Sequence, residues 1–510
     1  MLRKIRIALA AVFFVGITAL FLDFTGTIHA WLGWMAKVQL LPALLALNVG
    51  VVAALVALTL IFGRVYCSVI CPLGVMQDVF AWGGRKAKRN RYSYSPEKRW
   101  LRIAALVLFV ASLIVGGSVL AQLLAPYSAY GRIAGNLLAP LYRWGNNGLA
   151  YLAERMGSYA FYETEVWIRS GATFGIALAT LAVLAILAWR GGRTYCNTIC
   201  PVGTVLGYIA RFAWLKPVID TEKCNSCGLC ERNCKASCIN SKEKKIDYTR
   251  CVACMDCMGT CRKHGIAYKH VKPEACKAAG TSATPCPTPE ATNAGEAGEG
   301  TSRRTFLTTT AVVAATTAIK AQEMKVDGGL AIIQDKVMPD RQTHLVPPGA
   351  LSARNFAKHC TACQLCVSVC PNGVLTPSTD LTRLMQPEMT YERGYCRPEC
   401  TRCSEVCPTG AIRPITREDK SSTQIGHAVW VKKNCIPLTD GASCGNCARH
   451  CPVGAIQMVE AEGEGRGRRT PKIPAIDIER CIGCGACEHL CPARPFSAIY
   501  VEGHERHKVN

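Results

Sequence analysis

The chain has 510 residues, 31 cysteines and a formal charge of +23. That length exceeds what one core serves, so two or more domains are expected, and 24 of the cysteines fall into six groups of four, which excludes a scattered disulfide framework and points to metal clusters. Residues 1–322 carry 36 Lys+Arg against 16 Asp+Glu, a surplus of 20, whereas residues 323–510 carry 23 against 20, a surplus of 3; the basic excess belongs to the half with the hydrophobic runs, which argues against nucleic acid as a partner.

Runs without a charged side chain cover residues 7–22, 38–62, 103–125 and 171–189. A bilayer core takes roughly 20 apolar residues in helix, so three runs qualify outright. The first is slightly short; it reads as an anchor because no convincing small-residue cleavage site follows it. Arg3, Lys4 and Arg6 precede the first run, and eight basic residues lie between Arg64 and Arg99. By the positive-inside rule both stretches are expected in the cytoplasm, with loops 23–37 and 126–170 facing outward. Residues 63–74 (GRVYCSVICPLG) and 192–203 (GRTYCNTICPVG) repeat at an offset of 129, so a two-helix unit is expected twice. Cys67 and Cys71 then match Cys196 and Cys200, and thiols four apart on a helical turn share a face. Packed thiols, a redox-active dithiol and a shared metal all remain open for these pairs.

Next come CNSCGLCERNC (Cys224, Cys227, Cys230, Cys234) and CVACMDCMGTC (Cys251, Cys254, Cys257, Cys261). A C-x2-C-x2-C-x3-C run used twice is the pattern of a two-cluster bacterial ferredoxin, where three thiolates bind one cubane and the fourth reaches the other. Cys224, Cys227, Cys230 and Cys261 should hold one cluster, and Cys251, Cys254, Cys257 and Cys234 the other. Lys235 and Arg262 stand where such motifs usually have proline, and Cys238, Cys276 and Cys286 are read as spare thiols. Zinc is the alternative, but it has no need of a tandem four-cysteine run. Residues 272–301, rich in Ala, Gly, Thr, Pro and Glu, form a flexible linker by composition. The stretch TSRRTFL (301–307) opens fifteen uncharged residues, 305–319, the pattern of a twin-arginine export signal.

Four more tetrads follow: Cys360, Cys363, Cys366, Cys370; Cys396, Cys400, Cys403, Cys407; Cys435, Cys444, Cys447, Cys451; and Cys481, Cys484, Cys487, Cys491. The first gap widens in the second and third groups, which admits a loop without moving the last three ligands. Each oxidised [4Fe–4S] cluster with its thiolates carries about two negative charges, so four of them turn the surplus of this half to about −5.

These motifs, in this order, resemble a family. Residues 1–271 resemble the NapH-type membrane ferredoxins of periplasmic nitrate reduction and their relatives in nitrous oxide reduction and methylamine dehydrogenase systems, and residues 302–510 resemble the exported NapG-type four-cluster ferredoxins. The fold class this implies is multi-domain: a four-helix transmembrane domain (1–215), an α+β two-cluster ferredoxin domain (216–271), the linker (272–301), the signal or a fifth span (302–322) and an α+β four-cluster domain (323–510). In related four-cluster folds the outer motifs pair and the inner motifs pair, which gives Cys360, Cys363 and Cys366 with Cys491, and Cys396, Cys400 and Cys403 with Cys451; sequential pairing leaves the ligands unchanged. The resemblance implies a quinol dehydrogenase component with six [4Fe–4S] clusters, fed by the membrane quinone pool and passing electrons to a periplasmic reductase or cytochrome c acceptor. It also implies an inner-membrane protein whose second ferredoxin domain is periplasmic.

The sequence agrees on the type of chemistry. It has no CxxCH haem site, no nucleotide-binding glycine fingerprint after a strand and no terminal catalytic constellation. A quinone site is expected among the spans, with Asp23, His29 and Tyr127 near the outward face as candidates to take protons. Two other functions stay open: an assembly factor that reduces or delivers a partner's metal cofactor, and a cytoplasm-facing, membrane-tethered polyferredoxin.

Overall fold

A computed structural model describes residues 2–87, 92–115, 118–270, 326–327, 331–332, 336–461 and 470–509. The expected linker and twin-arginine segment lie outside the described residues. In chain order the helical part runs α1 (Leu2–Leu22), α2 (Thr27–Leu32), α3 (Trp34–Lys37), α4 (Leu40–Leu45), α5 (Val49–Phe62), α6 (Val65–Val69) and α7 (Pro72–Lys86), then α8 (Arg99–Val115), α9 (Ser118–Leu124) and α10 (Pro126–Ile133), then α11 (Ala139–Arg155), α12 (Gly171–Gly191), α13 (Thr194–Thr198) and α14 (Pro201–Ala210).

Only α1 and α12 among the described residues, at 21 residues each, are single helices long and apolar enough to cross a membrane. The second and third expected spans are interrupted. Residues 38–62 divide into α4 and α5, because Leu47 takes a left-handed φ of 53° and Asn48 caps α5 by accepting from the Val51 amide. Residues 103–125 divide between α8 and α9, and Ser112 Oγ accepts from the Ala121 amide, so α9 folds back along α8.

The repeat is present as structure: α5–α6–α7 is matched by α12–α13–α14. Pro72 and Pro201 open α7 and α14, at a position where the missing N–H would have no helical partner anyway. Helix α5 packs on α14, and α12 packs on α7. Each unit's long helix thus lies against the other unit's last helix.

Two ferredoxin-type units attach to this bundle. In the first, strand Leu215–Ile219 pairs antiparallel with strand Ile266–His270, which closes the ends of the cysteine-rich loops on one another. In the second, strand Thr423–Trp430 pairs antiparallel with Ile499–Val509, and shorter hairpins join Leu375–Pro377 to Pro387–Met389 and Ile456–Glu460 to Lys472–Ile476. Helix α1 touches both units. Near its start Arg3 bonds Asp256 of the first at 2.8 Å; just past its end, a Cβ added at Gly26 would lie 3.4 Å from the Arg402 guanidinium of the second. A 21-residue helix is about 30 Å long, so the two units sit at opposite ends of one membrane-length rod.

Candidate iron–sulfur and thiol centres

Cys224, Cys227, Cys230 and Cys261 line one cavity, and Cys234, Cys251, Cys254 and Cys257 line another. This is the crossed arrangement that the two tandem motifs predict. In the second unit Cys370 shares a cavity with Cys396, Cys400 and Cys403, and Cys491 shares one with Cys435, Cys444 and Cys447. Cys407 acts electrostatically on Cys360, Cys363 and Cys366, and Cys451 on Cys481 and Cys484. The pairing is therefore sequential, first motif with second and third with fourth. The outer-with-outer pairing expected from the resemblance is corrected here: each fourth thiol comes from the neighbouring motif in the chain, not from across the domain.

The backbone at these cavities is built for an anionic group. The second cysteine of four motifs stands between two residues of positive φ: Ser226 (56°) and Gly228 (71°), Ala253 (48°) and Met255 (61°), Ala362 (51°) and Gln364 (63°), Gly483 (73°) and Gly485 (79°). Non-glycine residues adopt this conformation at a cost and do so where surrounding structure imposes it; turned backbone of this kind points amide N–H groups into a concavity suited to anions. Amides reach the sulfurs directly: Ala362 donates to Cys360 Sγ (3.4 Å), Gly265 to Cys261 (3.3 Å) and Ala455 to Cys451 (3.2 Å). Among the described residues no three His, Cys, Asp or Glu side chains close on a single-ion site. Zinc needs its sulfurs about 2.3 Å away, so sulfurs spread around a cavity with amide donors fit a cubane better.

Cys238, read from the sequence as a spare thiol, stands beside the second tetrad. It is buried, its Sγ lies 3.5 Å from Cys234 Sγ, and it lines the same cavity as the second tetrad. Cys238→Ala is expected to change the electron paramagnetic resonance signature of one cluster of the first unit and leave the others as they are; spectra identical in every signal would remove Cys238 from that site.

The four thiols of the repeat converge. Cys67, Cys71, Cys196 and Cys200 are all buried, and each lies in the electrostatic field of others of the set. The arginine of each repeat serves the other repeat: Arg64 donates to the Cys196 carbonyl at 3.2 Å, and Arg193 donates to the Cys67 carbonyl at 2.6 Å. Gly74 and Gly203 leave room for this. A Cβ at Gly74 would be 2.8 Å from Arg193 Nη1, and one at Gly203 would be 2.9 Å from Arg64 Nη2. The words GR…C…CPxG are thus one device, in which the last glycine makes space for the partner repeat's arginine. Gln77 also donates to Cys196 Sγ at 3.3 Å, and Arg64 donates to the Thr249 carbonyl, two residues before Cys251, at 3.2 Å.

Asp78, nearly two turns into α7, is the junction between bundle and first unit. It bonds Arg193 (2.7 Å), Lys235 (2.9 Å) and Arg6 (3.0 Å), and Lys235 also reaches Asp256 (3.1 Å). Burial opposes the charge on Asp78, but Arg193, Lys235 and Arg6 outweigh it and hold the carboxyl well below the usual range. Lys235 is the residue found in place of the proline usual after the fourth cysteine. That departure was the signal: a lysine at a turn position has a partner to find.

At the other end of α1, Asp23 and His29 are brought together, with Nδ1 of His29 3.1 Å from Asp23. Asp23 also accepts from the amides of Thr25, Gly26 and Ile28. Burial works against its charge, but the bonds from Thr25, His29 and Gly26 prevail and keep it below the usual range, so it acts as a loop cap. Tyr127 is buried and stacks near Phe21, with ring centroids 5.8 Å apart. It belongs to the seat of the second unit. Around it Asn136 donates to Gln364 at 2.8 Å, and a Cβ at Gly131 would fall 2.3 Å from the Cys363 carbonyl, so the cluster loop rests directly on α10.

A family model described as a 4Fe-4S binding domain matches residues 44–90 and 172–220, one match on each repeat, and one described as a 4Fe-4S dicluster domain matches residues 359–411 and 442–494. The ferredoxin-type protein NapG of Escherichia coli is 32% identical over 177 residues, covering 32% of this chain and 75% of NapG. The methylamine utilization ferredoxin-type protein MauM of Methylobacillus flagellatus is 33% identical over 176 residues, covering 32% of this chain and 70% of MauM. A third relative, an uncharacterised protein of Methanocaldococcus jannaschii, is 36% identical over 95 residues, 19% of this chain; the chain spans only 38% of that protein's length. No solved structure matches the chain.

Proposed function

Because the chain belongs to the ferredoxin-type family of NapG and MauM, and is an iron–sulfur electron-transfer protein, we propose that it oxidises membrane quinol and passes the electrons to a periplasmic reductase pathway, through a reductase or a cytochrome c acceptor. The observation that carries this reading is the attachment of two ferredoxin-type units to opposite ends of α1, with four buried thiols between them. Such a body can move electrons from one side of a membrane to the other. The helical part is the membrane domain, with the N-terminus and first unit in the cytoplasm and the second unit outside, reached by one further crossing that begins at Arg303 and Arg304.

Six [4Fe–4S] clusters are held by Cys224, Cys227, Cys230 with Cys261; Cys251, Cys254, Cys257 with Cys234; Cys360, Cys363, Cys366 with Cys407; Cys396, Cys400, Cys403 with Cys370; Cys435, Cys444, Cys447 with Cys491; and Cys481, Cys484, Cys487 with Cys451. When bound, such clusters supply one-electron storage and transfer. The chain's part is to keep the thiolates in place, to offset charge with amide donors and to exclude water from the cavities.

The test is electron paramagnetic resonance on membranes before and after a menaquinol analogue is added, with iron counted per chain. Quinol-dependent reduction of the clusters and about 24 iron atoms, four per cluster, are expected. Clusters that dithionite reduces and quinol does not would overturn the quinol reading, and about eight iron atoms with four zinc ions would overturn the cluster assignment of the second unit.

A further inference from the structure

Between α1, α7 and the first ferredoxin unit lies a cavity of about 440 Å³, within the range of small-molecule sites. One side is apolar: Ile7, Ala11 and Phe14 of α1 face Val79 and Trp82 of α7. Ile7, Val79 and Trp82 are 45%, 53% and 57% exposed, so the cavity opens sideways onto the apolar outer surface of the bundle. The floor is polar and belongs to the cluster-bearing loops, since Lys235 follows Cys234 and Asp256 lies between Cys254 and Cys257.

One polar group in this floor lacks a partner. Arg6 is 8% exposed; its Nη1 holds Asp78 and the Ser68 carbonyl, while its Nε–H is buried with no acceptor. A buried donor left unmade is costly, and because Nε shows the cavity almost no surface, a small turn of the guanidinium would let a ligand oxygen satisfy it. Arg6 and Lys235 are already paired with Asp78, and Arg3 and Lys235 with Asp256, so most of the lining's cations are spent within the protein, which favours a neutral head over a phosphate. A neutral, oxygen-bearing head on an apolar body, admitted from the side and stopped against cluster loops, describes a lipid-soluble quinone.

We propose that this cavity binds the head of a membrane quinone or quinol, with Arg6 Nε–H donating to a ring oxygen. The assignment rests on the quinol reading above and adds its site, at the end of α1 opposite to Asp23, His29 and Tyr127.

The test uses the full chain with its clusters loaded, in lipid nanodiscs, and the fluorescence of 2-heptyl-4-hydroxyquinoline N-oxide, a neutral aromatic head with an alkyl tail. Saturable binding to the wild type is expected, displaced by a menaquinone analogue. Ala11→Phe adds a ring at an exposed position and fills the cavity; Arg6→Lys keeps the cation facing Asp78 and removes the Nε donor. Both should weaken binding at least about tenfold, the tenfold corresponding to one hydrogen bond to a charged group, with cluster spectra unchanged. Wild-type affinity in both variants overturns the assignment, as does displacement by phosphatidylglycerol but not by the quinone analogue. Quinol reduction of the clusters is followed in the same samples. Reduction that persists undiminished in both variants overturns the cavity and leaves the quinol reading standing; no reduction in the wild type overturns that reading, and this assignment with it.

Discussion

Asp78→Ala is expected to separate the first ferredoxin unit from the bundle. The substitution leaves Arg6, Arg193 and Lys235 with side chains 0–9% exposed and without their shared carboxylate. Removing one partner of a buried pair costs about 3–5 kcal/mol, a large share of the 5–15 kcal/mol that typically holds a domain together. Protease resistance of the first unit and thermal unfolding in detergent measure the loss; Asp380→Ala, at a site 41% exposed, serves as the comparison and should change little. Wild-type resistance in Asp78→Ala would show that the ion network is not the tie. The pH dependence follows from the depressed carboxyl. Its contribution is fully present above the ordinary aspartate pKa of about 3.9 and is lost only as pH falls through the lower folded value, so the attachment should survive at pH 5.

Arg303→Lys with Arg304→Lys is expected to strand the second unit inside. Iron–sulfur domains with sixteen cysteine ligands, threaded unfolded into an oxidising compartment, would risk disulfides instead of clusters. Export after folding avoids this, and on the proposed topology it accounts for a twin-arginine-like stretch, residues 301–307, standing in mid-chain. Protease added to spheroplasts should digest the wild-type second unit and spare that of the double variant. Protection of both would place all six tetrads in the cytoplasm.

Which thiols gather at a cavity was largely legible in the sequence because the grouping is local: short spacings such as C-x2-C-x2-C keep three sulfurs within a short stretch of chain. The fourth ligand is long-range, which is why the crossed pairing of Cys234 and Cys261 could be read from a tandem motif while the partners of Cys370 and Cys491 could not. Hydropathy located the apolar segments but not their breaks. The break at Leu47 and Asn48 lies inside a run without a charged side chain, so hydropathy alone does not mark it. Cys238 was read as a spare thiol because its place depends on the loop closing over Cys234 and Cys251. Asp78 is a single acidic residue among apolar ones, and only the convergence of three distant cations gives it meaning.

The exchange of arginines between the repeats is the arrangement expected of two identical subunits that became one chain, each having once completed its twin's thiol site. Beyond the exchanged arginines and glycines the two repeats differ. At the 129-residue offset Gln77 answers to Leu206, and Asp78 to Gly207. The second of these positions faces the first ferredoxin unit: Asp78 grips Lys235, while at Gly207 a Cβ would fall 2.4 Å from the Thr249 carbonyl, so the backbone there lies flat against the cluster loop. One copy became the clasp and the other the rest. A symmetric ancestor would have offered two equivalent berths, and the loss of that equivalence leaves the first ferredoxin unit one docking pose.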